Sequence, residues 1–395
     1  MTDTRIDDPT PEPFIPAALR PNPFAEADGP PPRRLIPFMR WSLAGLERVV
    51  LVAACLSIVA GVAEVIAALL LGEVVDAALA SGAGSVFADQ SGVLIGALVF
   101  FVVARPTVLG LSSYAQTILM QPAAMSLALS RLHRYTIGQS VTFFDDDFAG
   151  RIAQKEMQTA RAINDTLTEV VQTVLFALAS VVGSILLLGT VDWRIAAGLL
   201  LWMIAYGALI RYFMPRIRAR SKARASARAN VTGQVVDTVT NIKTVKLFAH
   251  DDHEDQAALD SMEGYRQRFV AFGRVSVAFR FWLMALAGIL PVLLVGGALW
   301  YWSLGLISAG DIAATGAISL RLAQMTGWVS FTLMSLYANV GEVEDGMNTL
   351  TPSHGLTDAP GAETLHVTAG EIVFDRVHFA YGRDEGGIQG IDLRL

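Results

Sequence analysis

Three ionisable side chains, Glu64, Arg105 and Arg321, each interrupt an apolar run long enough to cross a bilayer. A charge at the centre of a membrane costs about 2.5–3.5 kcal/mol on insertion scales, so its presence there points to a task. Counted at 1.5 Å per residue from the outer ends of their runs, Arg105 and Arg321 lie roughly 15–20 Å deep and Glu64 about 12 Å, so the three can meet. Arg321, Gln324 and Trp328 follow one another at i, i+3 and i+7, which puts them on one helix face. Such a face suits a cavity that receives a polar or aromatic part of a ligand. A Glu64–arginine pair that only fixes helix register is the alternative, and the residues by themselves leave both readings open. Pro106 and Pro291 are placed to disturb the helices beside that cavity.

Two polar clusters elsewhere invite a metal reading. Phe143-Phe144-Asp145-Asp146-Asp147-Phe148-Ala149-Gly150-Arg151 puts three carboxylates in a row, and His250 and His253 stand one helical turn apart among acids. Aspartates ahead of a helix ordinarily cap its free N–H groups and favour its dipole, and a His pair on an exposed helix face needs no ion. No metal site is expected at either place.

The elements that position these residues are apolar stretches of about 20 residues or more. They recur six times, near 49–71, 93–119, 167–190, 193–213, 277–302 and 311–338. With 53% hydrophobic and 17% charged residues over 395 positions and a mean hydropathy of +0.47, the chain is not an ordinary soluble domain. Its one cysteine, Cys55, excludes a disulfide framework and a cysteine-based zinc site. Residues 1–37 hold ten of the sixteen prolines and read as a disordered tail without a cleavable signal.

The basic residues give the orientation. Arg33, Arg34, Arg40 and Arg48 precede the first span, whereas 72–92 carries Glu73, Asp76 and Asp89 and no basic residue. Arg131, Arg134, Arg151, Lys155 and Arg161 lie between spans two and three, and thirteen basic residues run from Arg211 to Arg280. Arg194 is the exception near an outer turn. The pattern follows the positive-inside rule, with both termini cytoplasmic. The long inner connections are rich in helix formers, as in Arg151–Glu169 and Arg216–Thr240, and read as helices continuing out of the membrane. Some 25 residues per arm would carry each hairpin roughly 35–40 Å into the cytoplasm. After the sixth span a linker through Pro360-Gly361 leads to Glu371–Tyr381, which alternates like a half-buried strand.

This order of six spans, two long inner hairpins, a linker and a strand resembles the ATP-binding-cassette exporters, over about residues 35–395. Phe144-Asp145 with Gly150 resembles that family's first coupling helix, and Asn241 with Val245-Lys246 and Phe248, ahead of Glu254, its second. Phe374, Val377, Phe379 and Tyr381 are similar to the opening strands of its nucleotide-binding domain. The resemblance implies that Tyr381 stacks on adenine; a strand-end tyrosine packed on its own domain is the other reading. It implies an all-α polytopic membrane protein of six transmembrane helices with long cytoplasmic extensions, followed by the first β-strands of an incomplete α/β nucleotide-binding domain. The domains expected are a proline-rich tail (1–37), a membrane domain (38–345), a linker (346–369) and the start of a nucleotide-binding domain (370–395).

No G-x-x-x-x-G-K-[ST] loop and no Leu-Ser-Gly-Gly-Gln signature occur, and the sequence stops at Leu395 within what would be a strand leading to that loop. It reads as a fragment, unable by itself to hydrolyse ATP. The implied role is the membrane subunit of an ATP-driven exporter in the plasma (inner) membrane. Such a subunit moves a lipid, drug or peptide outward by alternating access, as a homodimer or heterodimer with a second half-transporter, in contact with membrane lipid and not with nucleic acid. ATP and Mg2+ would belong to the full-length protein. Phe144, Asp145, Gly150, Asn241, Val245, Lys246 and Phe248 would couple the domains, and Glu64, Arg105, Arg321, Gln324 and Trp328 would line the transport cavity. A non-hydrolysing membrane scaffold is the alternative function, and a channel would need polar residues repeating along several helices, which only the sixth span approaches.

Overall fold

The computed structural model describes residues 19–81, 85–145, 149–248, 251–353, 361–363, 366, 370–379 and 387–395. The chain divides into two compact units, Met1–Ser353 and His354–Leu395.

Among the described residues the regular elements of the first unit are all helices. A short α1 (Leu35–Leu43) precedes α2 (Glu47–Ser81), and α3 (Val86–Asp89) is a single turn before α4 (Ser91–Ile137). A five-residue α5 (Val141–Asp145) separates α4 from α6 (Arg151–Val191). Then come α7 (Trp193–Thr240), the short α8 (Ile242–Phe248), α9 (Asp251–Ser303) and α10 (Ala309–Leu350). Five helices, α2, α4, α6, α7 and α9, are long and apolar enough to span a membrane.

The sixth expected span, α10, has the length without the hydropathy, for a reason visible in its packing. Its buried face carries Thr315, Ser319, Thr326 and Ser330 where a lipid-facing helix would carry leucines. Three of these hydroxyls are satisfied by their own helix: Ser319 Oγ donates to Gly316 O at 2.8 Å, Thr326 Oγ1 to Leu322 O at 2.7 Å and Ser330 Oγ to Thr326 O at 2.8 Å. Small self-satisfied side chains let neighbouring backbones approach, which is how helices associate in lipid without a hydrophobic drive. The same device joins α2 to α6. Ser57 Oγ donates to Val171 O at 2.6 Å, Ser180 Oγ to Gly61 O at 3.1 Å, and a Cβ on Gly61 would come within 2.6 Å of Phe176 O.

One apolar core gathers buried side chains of α2, α6, α7, α9 and α10, among them Leu188, Leu199, Leu290, Leu294 and Ile318. Trp202 Nε1 donates to Leu286 O at 2.7 Å across α7 and α9, and the Tyr206 hydroxyl lies 2.8 Å from Ser330 Oγ on α10. In α4 the helix widens to π geometry at Phe100–Ala104 and again at Ala115–Met120, immediately ahead of Arg105-Pro106 and Gln121-Pro122. Proline offers no N–H and crowds the carbonyl four residues back, so a widened turn accommodates it. The second of these distortions, at Pro122, lies outside the sequence expectation, as does Pro215 inside α7.

The tail expected to be disordered through residue 37 differs over its described part. Arg131 on α4 is buried, and its guanidinium donates to the carbonyls of Ala25, Glu26, Trp41 and Ala44. Arg134 Nη1 reaches Phe24 O at 2.7 Å, Trp41 Nε1 reaches Gly29 O at 3.0 Å, and Phe38 of α1 is fully buried. Proline-rich backbone has few partners of its own, and Arg131, Arg134 and Trp41 supply them here. Burial lowers the Arg131 pKa, opposed by the nearby Asp28 and Glu47 carboxylates. Arg131→Met is expected to strand these carbonyls, destabilise the unit by about 2 kcal/mol, and open the 22–34 segment to added protease. Unchanged cleavage there would show that the segment is held by something else.

In the second unit β1 (Val373–Phe379) and β2 (Ile388–Arg394) form an antiparallel two-stranded sheet, with Val373 opposite Arg394 and Phe379 opposite Ile388. The register shifts on either side of Val377, and the left-handed backbone at Arg376 (φ 45°) lies in the first of these irregularities. The expected half-burial is corrected: β2 is exposed along its whole length and β1 at all but one position, because no further layer covers either face of the hairpin among the described residues.

Candidate functional site

Glu64, Arg105 and Arg321 come together from α2, α4 and α10. Arg105 grips the carboxylate with two nitrogens, Nε to Oε1 at 3.2 Å and Nη2 to Oε1 at 3.0 Å and Oε2 at 3.3 Å. Arg321 Nη2 lies 3.5 Å from Oε2. The Glu64 side chain is only 7% exposed, while the two arginines keep 34% and 39% of theirs open. Arg321 also has its Cζ 5.9 Å from the Phe176 ring centroid, and its Nε is buried with no hydrogen-bond partner among the described residues.

Two cavities meet at Arg321. One, of about 330 Å³, lies toward Leu71 and holds Glu64, Arg105, Ser180 and Ser184 among mostly apolar neighbours. The other, of about 390 Å³, is lined by Gln116, Gln172, Gln324, Phe176, Met325 and Trp328 with serines from α2 and α4. Phe176 and Trp328 meet edge to face with centroids 6.1 Å apart. Arg321, Gln324 and Trp328 thus share a cavity, as their spacing predicts. Gln116, Gln172 and Phe176 are additions that the sequence reading lacks. A polar Ser112-Ser113 and Gln116 within an apolar run was the available signal for α4, and Gln116 Nε2 donates to Ser112 Oγ at 3.0 Å.

The C-terminal end of α2 and the N-terminal end of α10 are fastened together. Asp76 accepts from Ser308 Oγ at 2.6 Å and from the Gly310 N–H at 2.7 Å. Ser308 in turn caps α10, accepting from the Asp311 N–H at 2.9 Å while its own N–H donates to Asp311 at 2.8 Å. A Cβ on Gly72 would sit 2.7 Å from Gly310 O, so both helices need glycine at this crossing.

The two tips expected to act as couplers are the short helices α5 and α8. Phe144 is exposed and meets Phe143 edge to face at 5.2 Å. Asn241 ends α7, donating from Nδ2 to Asp237 Oδ1 at 2.9 Å, and Thr238 Oγ1 ties α7 to Glu254 of α9 at 3.1 Å. On α8, Val245 is half-buried and Lys246 exposed, while Ile242, Leu247 and Phe248 present apolar surface to solvent. The side chains of Asp145 and Gly150, the residues Asp146, Asp147 and His250, the His253 side chain, and Tyr381 lie outside the described residues.

Residues 50–328 match the ABC transporter transmembrane region. A Haemophilus influenzae protein described as an uncharacterized ABC transporter ATP-binding protein is 30% identical over 91% of this chain and 59% of its own length. A Novosphingobium aromaticivorans ATM1-type heavy metal exporter is 22% identical over 41% of this chain and 27% of its own. Among solved structures, a bacterial Atm1-family ABC exporter with ATP bound superposes with a TM-score of 0.67 at 16% identity, over 89% of this chain and 62% of that one. The chain therefore spans about three fifths of the length of these two fuller matches. With its long helices it is a multi-pass membrane protein, and it belongs to the ABC transporter family, whose transmembrane region it carries in the fold of the exporters.

Proposed function

We propose that this chain is the membrane subunit of an ATP-driven exporter that moves a hydrophobic or amphipathic substrate outward by alternating access. The observation that carries this reading is one continuity: helices α4, α6, α7 and α9 run from the cavities or the apolar core straight to two exposed tips, α5 and α8. A 48-residue helix such as α7 is about 72 Å long at 1.5 Å per residue, a lever that joins membrane depth to the cytoplasm. Closure of cytoplasmic domains on the tips would rock these levers and exchange the open side of the cavity. Phe144, Asp145, Gly150, Asn241, Val245, Lys246 and Phe248 are proposed to carry that push.

Working as a homodimer or heterodimer in the plasma (inner) membrane, with both ends cytoplasmic, belongs to the same proposal. ATP and Mg2+ belong to the same proposal, cradled by a phosphate loop of the kind that these 395 residues do not include. Tyr381 is proposed as the adenine platform. The part derived for this chain is mechanical.

The test is ATP-dependent uptake of an amphipathic dye into liposomes by the gene product read through any downstream frame, alongside the 395-residue chain. Uptake is expected only where a phosphate loop is restored. Phe144→Ala combined with Phe248→Ala should cut uptake at least about tenfold while hydrolysis persists, since an exposed apolar anchor is worth on the order of 1–2 kcal/mol. Uptake that survives loss of both anchors would refute coupling through these tips.

A further inference from the structure

On the reading of these cavities as the substrate path, we propose that Arg321 is an anion-recognition residue. The cavity beside it then takes an amphiphile whose acidic group, a phosphate, carboxylate or sulfonate, sits against the Arg321 guanidinium. The case begins with charge. Among the described residues lining the two cavities, Glu64, Arg105 and Arg321 are the only charged side chains, so one carboxylate faces two guanidiniums.

Geometry decides which arginine is left over. Arg105 takes both oxygens of Glu64 through three hydrogen bonds, whereas Arg321 has one contact at 3.5 Å and a buried Nε without a partner among the described residues. A guanidinium left so at membrane depth is costly, and an anion with two acceptor oxygens is the ligand whose shape fits the fork. The rest of the cavity suits the rest of such a molecule. Phe176, Met325 and Trp328 offer apolar surface, and Gln116, Gln172 and Gln324 offer amides for polar atoms near the acid. At about 390 Å³ the space is that of an ordinary small-molecule site.

The experiment is isothermal titration of the purified chain in phosphatidylcholine nanodiscs with decyl phosphate, decyltrimethylammonium and decyl glucoside, which share a tail and differ in charge. Decyl phosphate is expected to bind at least about tenfold more tightly than the other two, the scale of one charge-assisted hydrogen-bonded contact. Arg321→Gln should abolish that preference, leaving the three headgroups bound alike, and Arg321→Lys should keep part of it. Arg321→Gln leaves Glu64 paired with Arg105, so the variant is expected to fold, checked by its thermal midpoint.

Equal affinity for the three headgroups, or a preference untouched in Arg321→Gln, would overturn the proposal. Repeating the titration in phosphatidylglycerol nanodiscs separates the sources: weakened decyl phosphate binding assigns the site to acidic lipid headgroups, and unchanged binding assigns it to a soluble anion. Failure of the export reading looks different. Anion binding at Arg321 with no ATP-driven movement of any amphiphile removes the transporter and leaves the site, whereas transport without headgroup preference does the reverse.

Discussion

Replacing Glu64 with glutamine is expected to destabilise the membrane unit by about 3 kcal/mol, at the low end for breaking a buried ion pair because both arginines keep about a third of their surface open to the cavities. Glutamine has the shape of the native side chain without its charge. Two guanidiniums then face each other at a depth where neither is solvated fully. Arg321→Gln by contrast should cost less than about 1 kcal/mol, since the Arg105–Glu64 bonds remain. The double variant should recover part of the loss seen in Glu64→Gln, because the second change removes the stranded charge. Unfolding midpoints in a mild detergent titrated with a denaturing one would measure all three. Equal losses for Glu64→Gln and Arg321→Gln would mean that the cluster is not organised around the carboxylate.

Gly310→Ala is expected to have the other large effect, at the crossing of α2 and α10. The added methyl would overlap the Gly72 carbonyl and the Asp76 carboxylate, and a backbone carbonyl cannot turn aside as a side chain can. The helices must separate, which strains the Gly310 N–H and Ser308 hydroxyl bonds to Asp76. A loss of about 3 kcal/mol combines overpacking with two weakened hydrogen bonds. Gly296→Ala in α9 meets nothing within 4 Å and should be neutral, or stabilising by up to about 1 kcal/mol through helix propensity. The pair isolates close approach from any general effect of a methyl group. If Gly310→Ala were as mild as Gly296→Ala, the fastening at Asp76 would not hold this end closed.

Much of this architecture was legible because lipid imposes simple rules on a chain. Long apolar runs located all six spans, and the depth of Glu64, Arg105 and Arg321 placed three side chains within reach of one another before any contact was known. The sixth is the least apolar of these. Its hydroxyls depress hydropathy, yet Arg321, Gln324 and Trp328 still mark one face by their spacing.

What was hidden depends on partners distant in sequence. Nothing local says that Arg131 will bind backbone more than eighty residues away, because the carbonyls it satisfies carry no side-chain signal. Gln172 and Phe176 join Trp328 only once α6 packs beside α10. The proline at 122 was visible, but the widened turn that absorbs it depends on the whole helix staying continuous. The strand at 373–379 read as half-buried because its alternation is written for a sheet with neighbours, and among the described residues the hairpin has none.

The central claim, that the two sides of the bundle open in alternation, is tested most directly at the fastening of α2 to α10. With Cys55 replaced by serine, spin labels at Ser81 on α2 and Leu306 beside the start of α10 would report their separation by pulsed electron resonance in the gene product read through any downstream frame. Alternating access predicts a short distance without nucleotide, as Asp76 holds Ser308, and a second, longer population when ATP is trapped. A single distribution that does not move between the two conditions would contradict the account.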